Sequence, residues 1–523
     1  MHSPSPMLAC FRTAAVFGVE AYTVHVEVDV TLGMPRLNLV GLLDTSVRES
    51  GDRVRSAIRN SGFEFPCRRI TVNLSPADVR KAGASFDLPI ALGILAADGI
   101  VHPRLVDDLV LLGELSLDGA IQPVRGVLPI AAAARRDGVR GLLLPHANIS
   151  EARVVGGVEV YPIQSLGDAV HVLNDHVPPA PPGSDAKQPA ADDLPDFCEV
   201  RGQALVKRAL EVAAAGAHNI LMVGPPGAGK TMMARRLPGV LPPLAFDEAV
   251  EVSSIHSVAG TLPAGVGLLT TRPFRAPHHT ISDVALVGGG SIPRPGEISL
   301  AHLGVLFLDE IPEFDRRVLE VLRQPLEDGH VSIARVNRTA SFPARFMLVA
   351  AMNPCPCGFL GDPVRVCRCT PNETRRYRNR LSGPLRDRID LIVDVPAVPP
   401  SLLGEPPDAE PTSAIRDRVV RARERQAERF GRSGATVRET AASLPRRKGP
   451  RVNADMRGRV LWRHAKPDAE GKRLLTTALE RLNLSARGYD RVLKLARTVA
   501  DLDGSDAVRA DHIAEALQYR MID

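Results

Sequence analysis

The 523-residue sequence predicts an α/β nucleotide-binding core, preceded by an α+β domain and followed by a helical one. Three patterns carry that expectation. Residues 219–231, NILMVGPPGAGKT, pass from a continuous apolar run through a glycine-rich loop into an apolar-periodic helix. Residues 305–310, VLFLDE, form a second apolar run that ends in two carboxylates. Near the N-terminus Val24, Val26, Val28 and Val30 alternate with Thr23, His25, Glu27 and Asp29, the period-two pattern of a half-buried strand.

Taken in order, residues 1–172 read as the α+β domain. After the valine strand, Gly33-Met-Pro35 turns the chain into a second strand at 36–40. A helix with Val47, Val54 and Ile58 on one face follows, then a strand in which Ile70, Val72 and Leu74 alternate. Residues 88–97 are apolar and helical, and 111–124 read as a hairpin turned at Asp118-Gly119. Residues 173–195, rich in Pro, Ala and Asp without periodicity, are a linker. The core spans 196–400 and a helical lid 401–523, with Leu474, Leu475, Ala478 and Leu479 at core spacing.

Composition narrows the class. A chain of this length suggests about three domains. Its 44% hydrophobic and 24% charged content is that of a globular protein. No apolar run approaches the roughly 18 residues of a membrane helix, since residues 88–101 are few and include Asp98. The N-terminus lacks a signal-peptide pattern, and seven cysteines in so long a chain do not form a disulfide framework. These features point to a cytoplasmic protein without a membrane partner. The net charge of +5 is compatible with nucleic acid only where basic residues cluster.

The chemistry starts at the first motif. Gly224, Pro225, Pro226, Gly227, Ala228, Gly229, Lys230 and Thr231 satisfy GxxxxGK[ST], the phosphate-binding P-loop. The glycines let backbone N–H groups converge on phosphate oxygens, and a helix N-terminus adds positive potential. Lys230 is placed to meet the β- and γ-phosphates of ATP, and the Thr231 hydroxyl to ligate Mg²⁺. In the second motif Asp309 is the further Mg²⁺ residue, and Glu310 the base that orients and deprotonates water.

The arrangement resembles AAA+ ATPases. Under that resemblance Asn353, at the end of the apolar strand 345–352, takes the sensor-1 position, and Gly202-Gln203 lie on the adenine side. Arg388 in LSGPLRDRIDL resembles the finger that one subunit offers to its neighbour's γ-phosphate, with Arg386 as rival. Arg487 in LSARGYDRVLKLART resembles the sensor-2 arginine of the lid, with Arg491 as rival. GELSLDGAIQPVRG at 113–126, with RKAGASFDLP at 80–89, resembles the Lon-protease-type domain of ribosomal-S5-like fold. There Ser85 falls near the hydrolytic serine, but Val127, Leu128 and Pro129 follow Gly126 where that family has its lysine. A serine without a base is a weak nucleophile, so proteolysis is disfavoured.

With FRAPHHTISDVALVGGG and NPCPCG…CRC added, the order of segments resembles the bacterial ComM/YifB family of magnesium-chelatase-subunit-like AAA+ ATPases. The resemblance implies a homo-hexameric, DNA-binding helicase that promotes branch migration of recombination intermediates in natural transformation. The alternative is a magnesium-chelatase motor subunit. Against it stand the S5-like domain, the cysteines and the lack of an integrin-like domain.

Two further groups are candidates. Residues 329–342 alternate as a hairpin with Arg335, Asn337 and Arg338 near its tip, suited to gripping a DNA backbone through charge. With 4% aromatic residues, base stacking is a minor term. Cys355, Cys357, Cys367 and Cys369 form C-x-C…C-x-C, four thiolates that can wrap a structural Zn²⁺.

Overall fold

The computed structural model describes residues 8–77, 79, 81, 83–102, 108–175, 177–181, 194–290, 293–334, 339–362, 365–399, 409–431, 449–481 and 485–520. The N-terminal strands are β1 (Leu8–Phe17), β2 (Glu20–Thr31), β3 (Arg36–Val40), β4 (Arg69–Ser75), β5 (Leu109–Leu111), β6 (Glu114–Leu115), β7 (Ile121–Gln122), β8 (Gly141–Pro145) and β9 (Glu159–Ile163). Seven of them form one mixed sheet, ordered β3-β4-β2-β1-β5-β8-β9. The alternating valines of β2 are buried because helix Asp87–Ala97, all of whose residues are buried, packs on that face.

The segment after Gly33 forms its strand as expected, and β3 runs parallel to β4. The edges of β2 are already occupied by β1 and β4, so β3 is left the outer edge of β4. The hairpin at Asp118-Gly119 shrinks to β6 and β7, since the apolar residues before it join the main sheet as β5.

The core strands are β10 (Ile220–Val223), β11 (Phe274–Arg275), β12 (Gly288–Gly289), β13 (Arg294–Pro295), β14 (Val305–Leu308), β15 (His330–Ala334), β16 (Thr339–Pro343), β17 (Met347–Met352) and β18 (Leu391–Asp394). Five make a parallel sheet, ordered β11-β14-β17-β10-β18. Both faces are covered, as parallel sheets require. Ile220, Met222 and Phe307 enter one apolar cluster, while Leu221, Val223 and Leu308 enter the other. Residues 261–304, between the P-loop helix and β14, thus contribute a core strand, β11, which their glycine- and proline-rich sequence conceals. Strands β15 and β16 pair as a separate antiparallel hairpin.

The lid comprises helices Thr412–Arg429, Gly458–His464, Ala469–Arg481, Ala486–Leu502 and Ala510–Gln518. Leu475 is buried as its spacing predicts, but Leu474 faces solvent. Among the described residues no helix is long and apolar enough to cross a membrane. The N-terminal sheet rests on the core through the turn between β1 and β2. Phe17 and Val19 pack against the cluster that holds Val331 and Phe342 of the hairpin. A second contact is the 2.6 Å hydrogen bond from the Ser257 hydroxyl to Glu151.

Candidate nucleotide site

Strand β10 delivers the chain to the P-loop at the carboxyl end of the sheet, where open α/β sheets bind ligands. A side chain at Gly224 would place its Cβ 2.2 Å from the Val395 carbonyl oxygen, so only glycine fits against the neighbouring strand. Gly227 and Gly229 have φ of +79° and +87°, backbone that glycine adopts without steric cost. Helix Lys230–Val240 begins directly after them.

Lys230 is the hub. Its Nζ donates to the carbonyls of Gly224 and Pro225 at 2.6 and 3.0 Å, and to Asn353 Oδ1 at 3.1 Å. Burial pushes its pKa below that of a free lysine, and the charges of Asp309 and Glu310 oppose the shift. The Thr231 hydroxyl donates to Asp309 Oδ2 at 2.5 Å, joining the first motif to the second across β10 and β14. Strand β17 lies between those two, which brings Asn353 to the lysine. The Asn353 backbone also reaches the buried Tyr377 phenol, whose pKa burial pushes up to about 12. Glu310 has φ +50° and ψ +47°, left-handed backbone costly for a residue with a side chain and typical of functional sites. That twist turns its exposed carboxylate out of the strand. Gln203, also left-handed, donates to the Pro396 carbonyl at 2.6 Å, while its Oε1 is buried with no partner among the described residues.

The arginines lie elsewhere. The Asn219 amide at the start of β10 donates to the Arg388 carbonyl at 2.8 Å, so Arg388 sits at the amino end of the sheet. Five extended residues separate Asn219 from Gly224, about 16 Å. Arg388 pairs with Glu327 and donates to the Pro384 carbonyl at 2.5 Å, and its Nε is buried without a partner among the described residues. Burial lowers its pKa, helped by Arg323 and Arg487. Arg386 is exposed. Arg487 is 72% exposed, 3.6 Å from Asp387. Arg491 is buried and donates to the Asp387 and Ile389 carbonyls at 2.8 and 3.4 Å, which pins this segment to the lid. Arg388, Arg487 and Arg491 line a cavity of about 530 Å³ between core and lid, separate from the P-loop.

The four cysteines come together directly after Asn353. Sγ–Sγ separations are 3.4 Å for Cys355–Cys357, 3.7 Å for Cys355–Cys367 and 3.6 Å for Cys357–Cys367. The Cys357 N–H donates to Cys369 Sγ at 3.4 Å, and all four sulfurs lie within 4.8 Å of one another. N–H groups of Phe359 and Arg368 pull the Cys357 thiol down to about 6. Arg335 and Arg338 fall outside the described residues.

Three family models match successive parts of the chain: "Subunit ChlI of Mg-chelatase" over residues 26–148, "Magnesium chelatase, subunit ChlI" over 196–403, and "Magnesium chelatase, subunit ChlI C-terminal" over 409–520. The competence protein ComM of Haemophilus influenzae is 43% identical over 518 residues, 98% of this chain and 97% of its own. YifB of Escherichia coli is 42% identical over 519 residues, 99% and 97% of the two chains. The chain belongs to the ComM/YifB family. A Lon protease of Chloroflexus aurantiacus is 32% identical over 134 residues, 24% of this chain and 16% of its own. The ComM/YifB chain therefore combines a partly Lon-like N-terminal region with a magnesium-chelatase-like AAA+ core, which implies use of ATP and Mg²⁺.

Two features of this ComM/YifB site escape sequence reasoning. Tyr377 behind Asn353 and Glu327 against Arg388 are contacts over 24 and 61 residues of chain. Neither partner carries a motif, so only the folded path reveals them.

Proposed function

We propose that this protein is a ring-forming, Mg²⁺-dependent ATPase that converts hydrolysis into movement along DNA, in the branch migration of recombination intermediates. The observation that carries the reading is the division of the machinery. Lys230, Thr231, Asp309 and Asn353 meet at the carboxyl end of the sheet, while Arg388 and Arg487 occupy its amino end. An arginine there serves a γ-phosphate only if that phosphate belongs to a neighbouring copy, so the site is complete only in an assembly. In this scheme Lys230 and the loop N–H groups hold the phosphates, and Thr231 and Asp309 hold Mg²⁺. Glu310 takes the proton of the attacking water with Asn353 beside it, and Arg388 from the adjacent copy balances the charge of the transition state. Mg²⁺ supplies electrostatic stabilisation of the phosphates when bound.

DNA as the track is supported by the relationship to ComM, a competence protein, and by the basic residues Arg335 and Arg338 in the sequence that joins β15 to β16. The test is a labelled Holliday-junction assay, with Lys230→Ala as control. ATP-dependent branch migration that separates the junction into duplexes, absent in the variant, is expected. A chain that stays monomeric with nucleotide and DNA both present overturns the motor reading. The chelatase matches favour a second reading, a motor subunit for metal insertion into a porphyrin. ATPase stimulated by single-stranded DNA separates the two.

A further inference from the structure

The cysteine cluster is not an isolated knuckle. Cys355 follows Asn353 by two residues, and its side chain is fully buried. Between the cysteine pairs, Gly358 has φ +85°, and a Cβ built there would lie 2.6 Å from Pro226 Cδ and 4.0 Å from Asn353 Cγ. The loop thus lies flat against the P-loop and the residue that receives Lys230. At its far end Thr370 caps helix Pro371–Arg378 in a reciprocal box with Glu373. That helix returns Tyr377 to the Asn353 backbone, and Arg378 reaches the Pro354 carbonyl at 3.4 Å. Both ends of the cysteine loop therefore close on one residue.

A tetrahedron of sulfurs around Zn²⁺, with Zn–S near 2.3 Å, has edges of about 3.8 Å. The three Sγ–Sγ edges of 3.4–3.7 Å are close to that figure, and they far exceed a disulfide bond of about 2.0 Å. The Cys357 N–H to Cys369 sulfur bond is the kind of outer contact that orients a metal ligand. Leu360 and Val366 of the loop stay exposed, at 41% and 86%, so apolar burial does little to fix it and a metal can.

We infer that Cys355, Cys357, Cys367 and Cys369 hold one structural Zn²⁺, and that the clamped loop sets the position of the P-loop at Pro226 and of Asn353. Zinc is then a positioning element for nucleotide binding. This second half rests on the ATPase reading above; the metal site itself does not.

The test measures zinc and nucleotide affinity separately on the full chain, purified without chelator. Metal analysis is expected to find near-stoichiometric zinc in the wild type and none in Cys357→Ser/Cys367→Ser. A zinc-free, folded wild type overturns the site whatever the variants do. Gly358→Ala keeps all four ligands but pushes a methyl toward Pro226. It is expected to retain zinc and to bind a fluorescent ATP analogue roughly tenfold more weakly. Retained zinc with unchanged affinity overturns the coupling. A zinc-loaded wild type that binds no ATP refutes the ATPase reading and leaves the metal site standing.

Discussion

Glu310 and the two lid arginines show how single side chains divide their labour. The left-handed backbone of Glu310 turns a carboxylate into solvent beside Asp309, where it can meet a water without binding the metal itself. Glu310→Gln is expected to keep ATP affinity and to lower turnover by about 10²- to 10⁴-fold, the usual worth of a positioned base; equilibrium binding against steady-state hydrolysis checks it. Arg487 and Arg491 fit one motif equally well in sequence, and burial separates them. The buried Arg491 spends its donors on Asp387 and Ile389, so Arg491→Ala should cost about 2 kcal/mol of stability in chemical denaturation. Arg487→Ala should leave the denaturation midpoint in place and slow hydrolysis.

At the scale of elements, legibility follows how local the cause is. The P-loop strand, the carboxylate strand and the β2 valines were readable because each pattern is contained in under a dozen residues. Strand β11 was not, because Phe274 and Arg275 are held by pairing with Val305 and Leu306, thirty residues on, and not by their own neighbours. The strand at 36–40 was readable too, while its partner β4 was set by which sheet edge stayed open, a global fact. Leu474 obeyed helical spacing yet is exposed, since a period identifies a stripe but not its width. In the site, the P-loop and second motif were legible, whereas the remoteness of Arg388 from Lys230 required the strand order. The hairpin of β15 and β16 has a buried stem, with Val331 and Ile333 facing inward, and the proposed DNA contacts lie at the turn between the two strands, outside the described residues. Arg335→Ala with Arg338→Ala is expected to weaken DNA binding and flatten its salt dependence while ATP binding survives; fluorescence anisotropy over a salt series reads both.

For the whole molecule, the proposed division of the site would make activity a property of pairs. Lys230→Ala and Arg388→Ala chains should each be nearly inert, but their equal mixture should recover roughly a quarter of wild-type ATPase, the chance that an intact lysine faces an intact arginine across a ring interface. No recovery after subunit exchange would contradict a shared site. Acid should loosen the fold as well. Burial holds His256, His302 and His512 below the ordinary histidine pKa, so the unfolded chain binds more protons near pH 6.5 and stability falls as pH drops through that value. Burial also raises Glu151 and Asp87, which act in the opposite sense at the lower carboxylate range. The histidine effect is therefore read between pH 7.5 and 6, as a falling thermal midpoint.

Glu327 belongs to helix Arg323–Asp328, which runs through Gly329 straight into β15. Its partner Arg388 is the group a neighbouring triphosphate would draw away. On the proposed reading one guanidinium would have two suitors, a phosphate across the seam and the Glu327 carboxylate at the root of the β15–β16 hairpin. Each cycle of cleavage and release would hand the arginine from one to the other, tugging that hairpin by its hinge. On this view a stroke is transmitted between copies through a single exchanged ion pair, with no need for the sheet beneath to bend.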